Sequence, residues 1–212
     1  MRNRIKIIII TLLVIVAGAG IYFYLPPILS DNIYPLEYKD MIIKYSKQFS
    51  LDPNFVSAVI FSESRFNSQA TSPVGARGLM QIMPRTGLGI SKYFNEDKNY
   101  SADKLYNPET NIKYGCWYLR NLLSKYKGHW ENQGDVTLTL IAYNGGVALA
   151  DRYAVSQGSL NMETSYYVVK VQQNKKIYDQ LYGNWGEKVE KKEKPKRPTL
   201  RDVILSWLLG RG

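Results

Sequence analysis

The sequence has very little of the two residue types that most often build metal sites and nucleophilic triads. It contains one cysteine, Cys116, and one histidine, His129, among 212 residues. One cysteine cannot form an internal disulfide, and a zinc site needs several Cys or His ligands. Ser-His-Asp and Cys-His nucleophilic systems would have to use His129 itself. We therefore expect no metal and no cofactor, and hydrolytic chemistry based mainly on carboxylates.

Acidic residues are few relative to basic ones. Lys and Arg number 28 against 18 Asp and Glu, giving a net charge of +10, which indicates an anionic partner without identifying it. The excess divides into +3 over residues 1–27, +3 over residues 28–186 and +4 over residues 187–212. The central part is nearly neutral and has no basic stripe interleaved with aromatic residues, so we expect no nucleic-acid binding.

Charge is absent altogether from Ile7 to Leu25. A helix of that length would measure roughly 28 Å, which matches a bilayer core of roughly 30 Å. Three basic residues precede the run, so the positive-inside tendency predicts a single-pass anchor over residues 1–27 with the remainder outside the cytoplasm. The alternative is secretion after signal cleavage, because residues 17–19 resemble a small-residue cleavage site.

The C-terminal residues 187–212 form a charged tail. A Lys, Glu and Pro-rich run over 187–198 is typical of a solvated linker. After it, apolar residues recur at spacings of three and four, which predicts a short amphipathic helix. Its apolar positions are Leu200, Val203, Ile204, Trp207 and Leu208.

Helical periodicity dominates residues 36–186. Asp52 followed by Pro53 predicts an N-cap and a helix on which Val56, Ile60 and Glu63 share one face. No comparable strand pattern occurs, so we expect a compact, mainly α domain. The same signals predict three further helices: one from Asn107 that stops at Gly128, one from Asp135 to Tyr143 that Asn144-Gly145-Gly146 ends, and one that Thr164 caps and that ends before Gly183. On the helix that begins at Asn107, Cys116 is expected to be a buried small hydrophobe. His129 follows the end of that helix and is expected to act there rather than in catalysis.

Glu63 is the leading candidate for catalysis. A glutamate on the apolar side of a helix loses solvation, which raises its pKa and suits a general acid near neutral pH. The alternative is a glutamate at a helix end that points into water or pairs with Arg65.

A glycine-rich segment follows from Ser72 to Pro84. Gly75 and Gly78 predict a tight loop, followed by a short helix that Pro84 restricts. Gln81 lies among apolar residues, and a buried amide there needs hydrogen-bond partners or a ligand. The segment therefore has both a structural and a functional interpretation.

Four motifs occur in a specific order. They are Glu63-Ser64-Arg65-Phe66-Asn67, then Ser72-Pro73-Val74-Gly75-Ala76 continuing into Gly78-Leu79-Met80-Gln81-Ile82-Met83-Pro84, then Ala142-Tyr143-Asn144, and finally Glu163-Thr164 with Tyr167-Val168. Together they resemble the catalytic domain of soluble-type lytic transglycosylases, which has a goose-type lysozyme-like fold. The resemblance runs from about Tyr38 to Tyr182.

The resemblance implies a site and a substrate. The substrate would be the peptidoglycan glycan strand, cut between N-acetylmuramic acid and N-acetylglucosamine. Glu63 matches the single catalytic acid/base, with the hydroxyl of Ser72 and that of Tyr143 near it. These two residues and the other matched positions would bind substrate: Ser72, Gln81, Met83, Tyr143, Asn144, Glu163 and Tyr167. Gly145 stands where the family usually has alanine, a loss of one methyl group.

Two other functions remain open at the level of sequence. A hydrolytic muramidase would add water across the same bond, and a non-catalytic scaffold would only bind the wall. The intact Glu63, Gln81 and Tyr143 argue against the scaffold. The expected partners are the glycan strand and, through the N-terminal helix, the membrane; the sequence identifies no protein partner.

Overall fold

A computed structural model describes residues 6, 9–20, 33–128, 134–156, 158–183 and 185. Most of these residues are helical. Beyond residues 9–20, which are helical, the described helices are α1 (Lys39–Gln48), α2 (Pro53–Ser64), α3 (Pro84–Tyr93), α4 (Pro108–Lys125), α5 (Gly134–Gly145), α6 (Val147–Ser156) and α7 (Met162–Tyr182). Two 3-10 helices, Asp97–Asn99 and Ala102–Tyr106, lie between α3 and α4.

Extended structure is confined to one loop of the described chain. Two isolated antiparallel bridges pair Thr71 with Arg77 and Arg77 with Ile82, and no longer strand occurs in the described residues. The predicted mainly α class is therefore confirmed. The buried apolar residues form one cluster that extends from Ile42 on α1 to Trp185 beyond α7.

Two predicted helix starts agree with the structure. The Asp52 carboxylate accepts a hydrogen bond from the Asn54 backbone N–H at 2.9 Å and caps α2. The Asn107 side chain caps α4 by accepting from the Thr110 N–H at 3.0 Å. Helix α4 ends at Lys125, three residues before Gly128, and the N–H of the capping residue Tyr126 donates to the Leu122 carbonyl.

Other predicted boundaries were wrong. Thr164 does not cap α7; Asn161 does, by accepting from the Thr164 N–H at 2.7 Å. The short helix expected just before Pro84 is a bridged loop, and Pro84 instead begins α3, where a missing N–H costs nothing.

Helix α2 lies at the centre of the molecule and packs along α7. Val56, Val59 and Ile60 are fully buried, and Asn54, Ser57 and Ser62 are buried too, so α2 is enclosed on nearly all sides. At its N-terminal end, Asp52 forms an ion pair with Lys175 of α7 at 2.8 Å. This packing places the last turn of α2, which carries Glu63, against the first half of α7.

Further sequence predictions concern Cys116, His129 and the two ends of the chain. Cys116 is a buried free thiol, as predicted. Of the predicted anchor from Ile7 to Leu25, only residues 9–20 are described; no helix among the described residues is long and apolar enough to cross a membrane. His129 and the tail 187–212 lie outside the described residues.

Candidate active site

Glu63 lies in the last turn of α2 and is half-buried. Burial raises the pKa of its carboxyl group from 4.5 to about 7, and this outweighs a hydrogen bond from Tyr167 and the charge of Lys170, which both lower the pKa. A carboxyl group with that pKa is populated in both protonation states near neutral pH. Glu63 can therefore donate a proton and take one back.

The chain turns sharply immediately after Glu63. Arg65 and Phe66 both adopt left-handed backbone angles, with φ of +52° and +65°. Such angles are unfavourable for residues other than glycine, and Phe66 is held there because its side chain is buried in the core. Arg65 lies over the ring of Phe61, with 5.9 Å between its guanidinium carbon and the ring centroid. The Arg65 side chain is thus engaged elsewhere than at the Glu63 carboxylate.

Tyr167 provides the direct contact to the Glu63 carboxyl group. Its hydroxyl donates a hydrogen bond to Glu63 Oε1 at 2.7 Å. Burial, together with the nearby charge of Glu63, raises the pKa of Tyr167 well above its ordinary value. Tyr167 therefore stays protonated and acts as a donor that orients the carboxylate.

Tyr143 of α5 also lies beside Glu63, but its hydroxyl has a different partner. It donates to the backbone carbonyl of Met80 at 2.8 Å. Burial raises the pKa of Tyr143 strongly, and the charge of Glu63 raises it further. The ring of Tyr118 packs against that of Tyr143, with centroids 5.5 Å apart. Tyr143 thus links α5 to the glycine-rich loop.

Asn111 organises the glycine-rich loop, a role that none of the sequence motifs indicates. The side chain is fully buried on α4. Its Nδ2 donates to the carbonyls of Arg77 at 2.8 Å and Leu105 at 2.6 Å, while its Oδ1 accepts from the Met80 N–H at 2.7 Å. All three partners are backbone groups, which have no signature in the sequence. No local sequence pattern therefore reveals that Asn111 holds this loop.

Gln81 and Ser72 hold the same loop together. Gln81 has a left-handed backbone with φ of +47°, and its Nε2 donates to the carbonyls of Gly78 and Ala70 at 2.8 and 3.2 Å. The Ser72 hydroxyl accepts from the Ala76 N–H at 3.0 Å. Within the described residues, none of the hydrogen bonds of Ser72 reaches Glu63. Gln81 therefore has the partners that its sequence position required.

The remaining predicted positions are more open to solvent. The side chain of Met83 is 40% exposed at the start of α3. Asn144 is half-buried near the end of α5. Glu163 is exposed in the first turn of α7, one helical turn before Tyr167 and so on the same side of the helix. These three side chains are accessible to solvent.

A separate polar cavity of about 360 Å³ lies between the 3-10 helices and α4. Its lining consists of Asn95, Glu96, Asn99, Lys104, Thr110 and Tyr114. None of the predicted site residues contributes to it.

Two carboxyl groups belong to the predicted site, that of Glu63 and that of the exposed Glu163. Among the described residues, the groups that change the pKa of Glu63 are Tyr167 and Lys170, and no second carboxylate is among them. Two-carboxylate glycosidases place their acidic groups roughly 5 to 9.5 Å apart. The arrangement here supports a mechanism in which one carboxyl group acts first as an acid and then as a base.

Comparisons with known proteins identify relatives of this chain. The family model described as "Transglycosylase SLT domain" matches residues 40–165. The chain is 34% identical over 151 residues to the transglycosylase of Enterobacteria phage PRD1, covering 71% of this chain and 46% of that protein. It is 35% identical over 113 residues to membrane-bound lytic murein transglycosylase C of Edwardsiella ictaluri, covering 52% of this chain and 31% of that protein.

A solved structure shares the fold. The 70 kDa soluble lytic transglycosylase of Escherichia coli superposes with a TM-score of 0.62 at 29% identity, over 72% of this chain and 26% of that one. The chain spans less than half the length of the curated relatives described above. The matched family segment contains Glu63, the glycine-rich loop and Tyr143. The chain belongs to the transglycosylase SLT domain family.

Proposed function

We propose that this protein is a peptidoglycan lytic transglycosylase. It cleaves the β-1,4 bond between N-acetylmuramic acid and N-acetylglucosamine and leaves a 1,6-anhydro-muramic acid end. The observation that carries the proposal is the single carboxyl group of Glu63, whose pKa burial raises to about 7 while Tyr167 holds its Oε1 at 2.7 Å. Membership of the SLT domain family supports the same reaction.

The first step uses Glu63 as an acid. Its proton moves to the bridging oxygen as the bond between that oxygen and C1 of the muramic acid breaks, and the leaving sugar departs with a free 4-hydroxyl group. Positive charge develops at C1, and the 2-acetamido group of the same sugar stabilises it. Glu63 becomes a carboxylate, to which the Tyr167 hydroxyl donates a hydrogen bond.

The second step uses Glu63 as a base. The C6 hydroxyl of the muramic acid attacks C1, and its proton passes to the Glu63 carboxylate, which restores the starting acid. A ring closes between C1 and C6, and no water is consumed. The substrate supplies the nucleophile, so a second carboxylate is not required, in agreement with the site described above.

The other matched residues would bind the glycan strand. Met83, Asn144 and Glu163 have exposed or half-buried side chains near the site and supply apolar, amide and carboxylate contacts. Gln81, Ser72 and Tyr143 would act mainly by shaping the loop that faces Glu63, because their described hydrogen bonds go to backbone groups.

The proposed location is the outer face of the membrane, with residues 1–27 as an anchor and residues 36–186 as the catalytic domain. Apolar side chains on the helical residues 9–16 are more than half exposed, and such a surface is stable only against lipid or protein. One relative is a membrane-bound lytic murein transglycosylase. Retention in membranes after carbonate extraction, with protease access from outside, would support the anchor; release into the medium would support cleavage instead.

Muropeptide analysis tests the reaction. We expect the full chain to release products with 1,6-anhydro ends from purified peptidoglycan, and we expect Glu63→Gln to release none above background. Products with reducing ends, heavier by one water, would show a muramidase. Full activity of Glu63→Gln would remove Glu63 from the mechanism, and binding without any cleavage by the unaltered chain would indicate a scaffold.

A further inference from the structure

The two residues that flank Glu63 are both held by other parts of the molecule. The Ser64 hydroxyl donates to the carbonyl of Leu79 in the glycine-rich loop at 2.8 Å. Ser62 is held on the opposite side by α7, where Lys170 Nζ donates to the Ser62 carbonyl at 2.7 Å. Asn174 Nδ2 donates to the Ser62 hydroxyl at 2.9 Å. Glu63 is thus fixed between two braced residues.

The contacts from α7 form one row. Tyr167, Lys170 and Asn174 are spaced by three and four residues, so they lie on the same face of the helix. The first contacts the carboxyl group of Glu63, and the other two contact the residue before it. One helix face therefore orients both the side chain and the backbone of Glu63.

Lys170 differs from its neighbours in this row because it carries a positive charge. Its ammonium group satisfies a carbonyl in the last turn of α2, where carbonyls have no partner within the helix. In the part of the chain that the structure describes, Lys170 forms no salt bridge, unlike Lys175 one turn later, which pairs with Asp52 and Asp179. Lys170 Nζ thus binds the residue that precedes Glu63, and its positive charge lowers the pKa of the Glu63 carboxyl group.

We propose that Lys170 is a positioning residue for Glu63: its ammonium group fixes the last turn of α2 and stabilises the carboxylate that Glu63 becomes after giving up its proton. This inference rests on the proposed role of Glu63 as acid and base. It deepens that role by naming the group that offsets the burial of the carboxylate between the two steps.

The other groups that face Glu63 do not supply this charge. Besides Lys170, helix α7 contributes Tyr167, and helix α5 contributes Tyr143. Both tyrosines are neutral because burial keeps their pKa values high. Helix α4 contributes Tyr118, which contacts the ring of Tyr143. The carbonyls of Leu79 and Met80 in the glycine-rich loop accept hydrogen bonds from Ser64 and Tyr143, and they carry no charge. Among the described residues that change the pKa of Glu63, Lys170 is the cation.

The test compares pH profiles of variants of the full chain, purified in mild detergent. Glu63 must be protonated to begin the reaction, so kcat/KM on peptidoglycan falls as pH rises through its pKa. Because Lys170 lowers that pKa, Lys170→Met is expected to move this alkaline limb upward by about one pH unit. Lys170→Arg, which keeps the charge, is expected to retain the original limb.

Lys175→Met is the matched control. It removes a lysine of α7 that pairs with Asp52 at the opposite end of α2. We therefore expect it to lower the melting temperature without moving the alkaline limb of the pH profile. A limb that stays in place in Lys170→Met would overturn the proposal. If Lys170→Met does not fold, Lys170→Gln provides the same comparison with a side chain that can still hydrogen-bond.

A carboxyl ¹³C titration by NMR separates this proposal from the proposed function. The resonance of Glu63 is assigned as the one missing from Glu63→Gln, and its midpoint is expected to rise in Lys170→Met. This measurement needs no turnover. Absence of peptidoglycan cleavage by the unaltered chain would therefore refute the function alone, whereas an unchanged midpoint would refute the role of Lys170 alone.

Discussion

At the scale of single residues, the hydrogen bond from Tyr167 to Glu63 is the contact closest to the chemistry. The hydroxyl stabilises the ionised carboxylate, so its removal in Tyr167→Phe is expected to raise the pKa of Glu63 by about one unit. The alkaline limb of the pH profile should move upward by the same amount. The rate at the optimum should fall about tenfold because the carboxyl group loses its orientation.

Tyr166→Phe is the control for this substitution. Tyr166 is the preceding residue, and 67% of it is exposed on the outer side of α7. The same loss of one hydroxyl there should leave both the limb and the rate unchanged. An equal effect of the two substitutions would show that the hydroxyl of Tyr167 has no special relation to Glu63.

Gly78 is the residue at which the glycine-rich loop has least room. Its φ is +74°, and an added Cβ would overlap the Leu105 carbonyl oxygen and the Asn111 amide. Gly78→Ala should therefore reduce the free energy of unfolding by about 3 kcal/mol or more, since it disrupts the buried Asn111 hydrogen bonds. Gly75→Ala has a similar φ of +87° but open space, and should cost only about 1 kcal/mol. Equal melting temperatures for the two variants would contradict this difference.

The role of a residue could be predicted from the sequence where that role depends on neighbours in the sequence. Glu63 follows an apolar helix face, and that pattern alone indicates a raised pKa. Asn111 and Lys170 could not be found in the same way, because their partners lie 31 and 108 residues away in sequence. The partners of Gln81 were also invisible, since they are backbone carbonyls reached through a left-handed turn.

At the scale of secondary-structure elements, the packing of α2 against α7 positions the site. Most of α7 lies beyond the matched family segment, which ends at residue 165. Trp185 follows α7, is buried, and donates from Nε1 to Asn54 Oδ1 at 2.6 Å. Asn54 in turn donates to Asp179 and to the Gly183 carbonyl. This network fixes the start of α2 in the way that Lys170 and Asn174 fix its end.

Trp185→Ala should therefore destabilise the fold by about 3 to 5 kcal/mol, the usual cost of removing a buried tryptophan. Trp185→Phe keeps most of the packing and removes only the hydrogen bond, so it should cost less, about 1 to 2 kcal/mol. Urea denaturation monitored by circular dichroism measures both. A Trp185→Ala variant as stable as the unaltered chain would contradict the inclusion of this residue in the core.

The elements that could be predicted are those with strong local signals. The Asp-Pro and Asn-Pro pairs before α2 and α4 gave correct starts because a cap and a proline at the first helical position act together. The start of α7 was misplaced because both Asn161 and Thr164 are good capping residues, and only the structure distinguishes acceptor from donor. The short helices α1 and α6 gave no prediction, and α3 was misplaced to the wrong side of Pro84.

At the scale of the whole molecule, the buried carboxyl group of Glu63 makes stability depend on pH. Its pKa is about 7 in the folded chain against an ordinary 4.5, so the folded state holds this proton more tightly. The contribution of this group to the free energy of unfolding is fully present below about pH 4.5, and it is lost as the pH rises through about 7. The shift corresponds to at most roughly 3 kcal/mol.

Glu63→Gln is therefore expected to be more stable than the unaltered chain at pH 8.5 and equally stable near pH 4. Melting temperatures measured across that range, by circular dichroism, test the sign as well as the size. Glu109 provides the control: it is exposed, and its pKa is lowered by its hydrogen bond from Lys44, so Glu109→Gln should not be stabilising at high pH. A Glu63→Gln variant that is less stable at pH 8.5 would contradict the burial of the carboxylate.

The central claim is that one carboxyl group cleaves the glycan strand without consuming water. Digestion of purified peptidoglycan by the full chain in water enriched in heavy oxygen, followed by mass spectrometry of the products, tests it directly. The account predicts 1,6-anhydro-muramic acid ends that carry no heavy oxygen. Reducing muramic acid ends that carry the heavy isotope at C1 would contradict it and would identify the protein as a hydrolase.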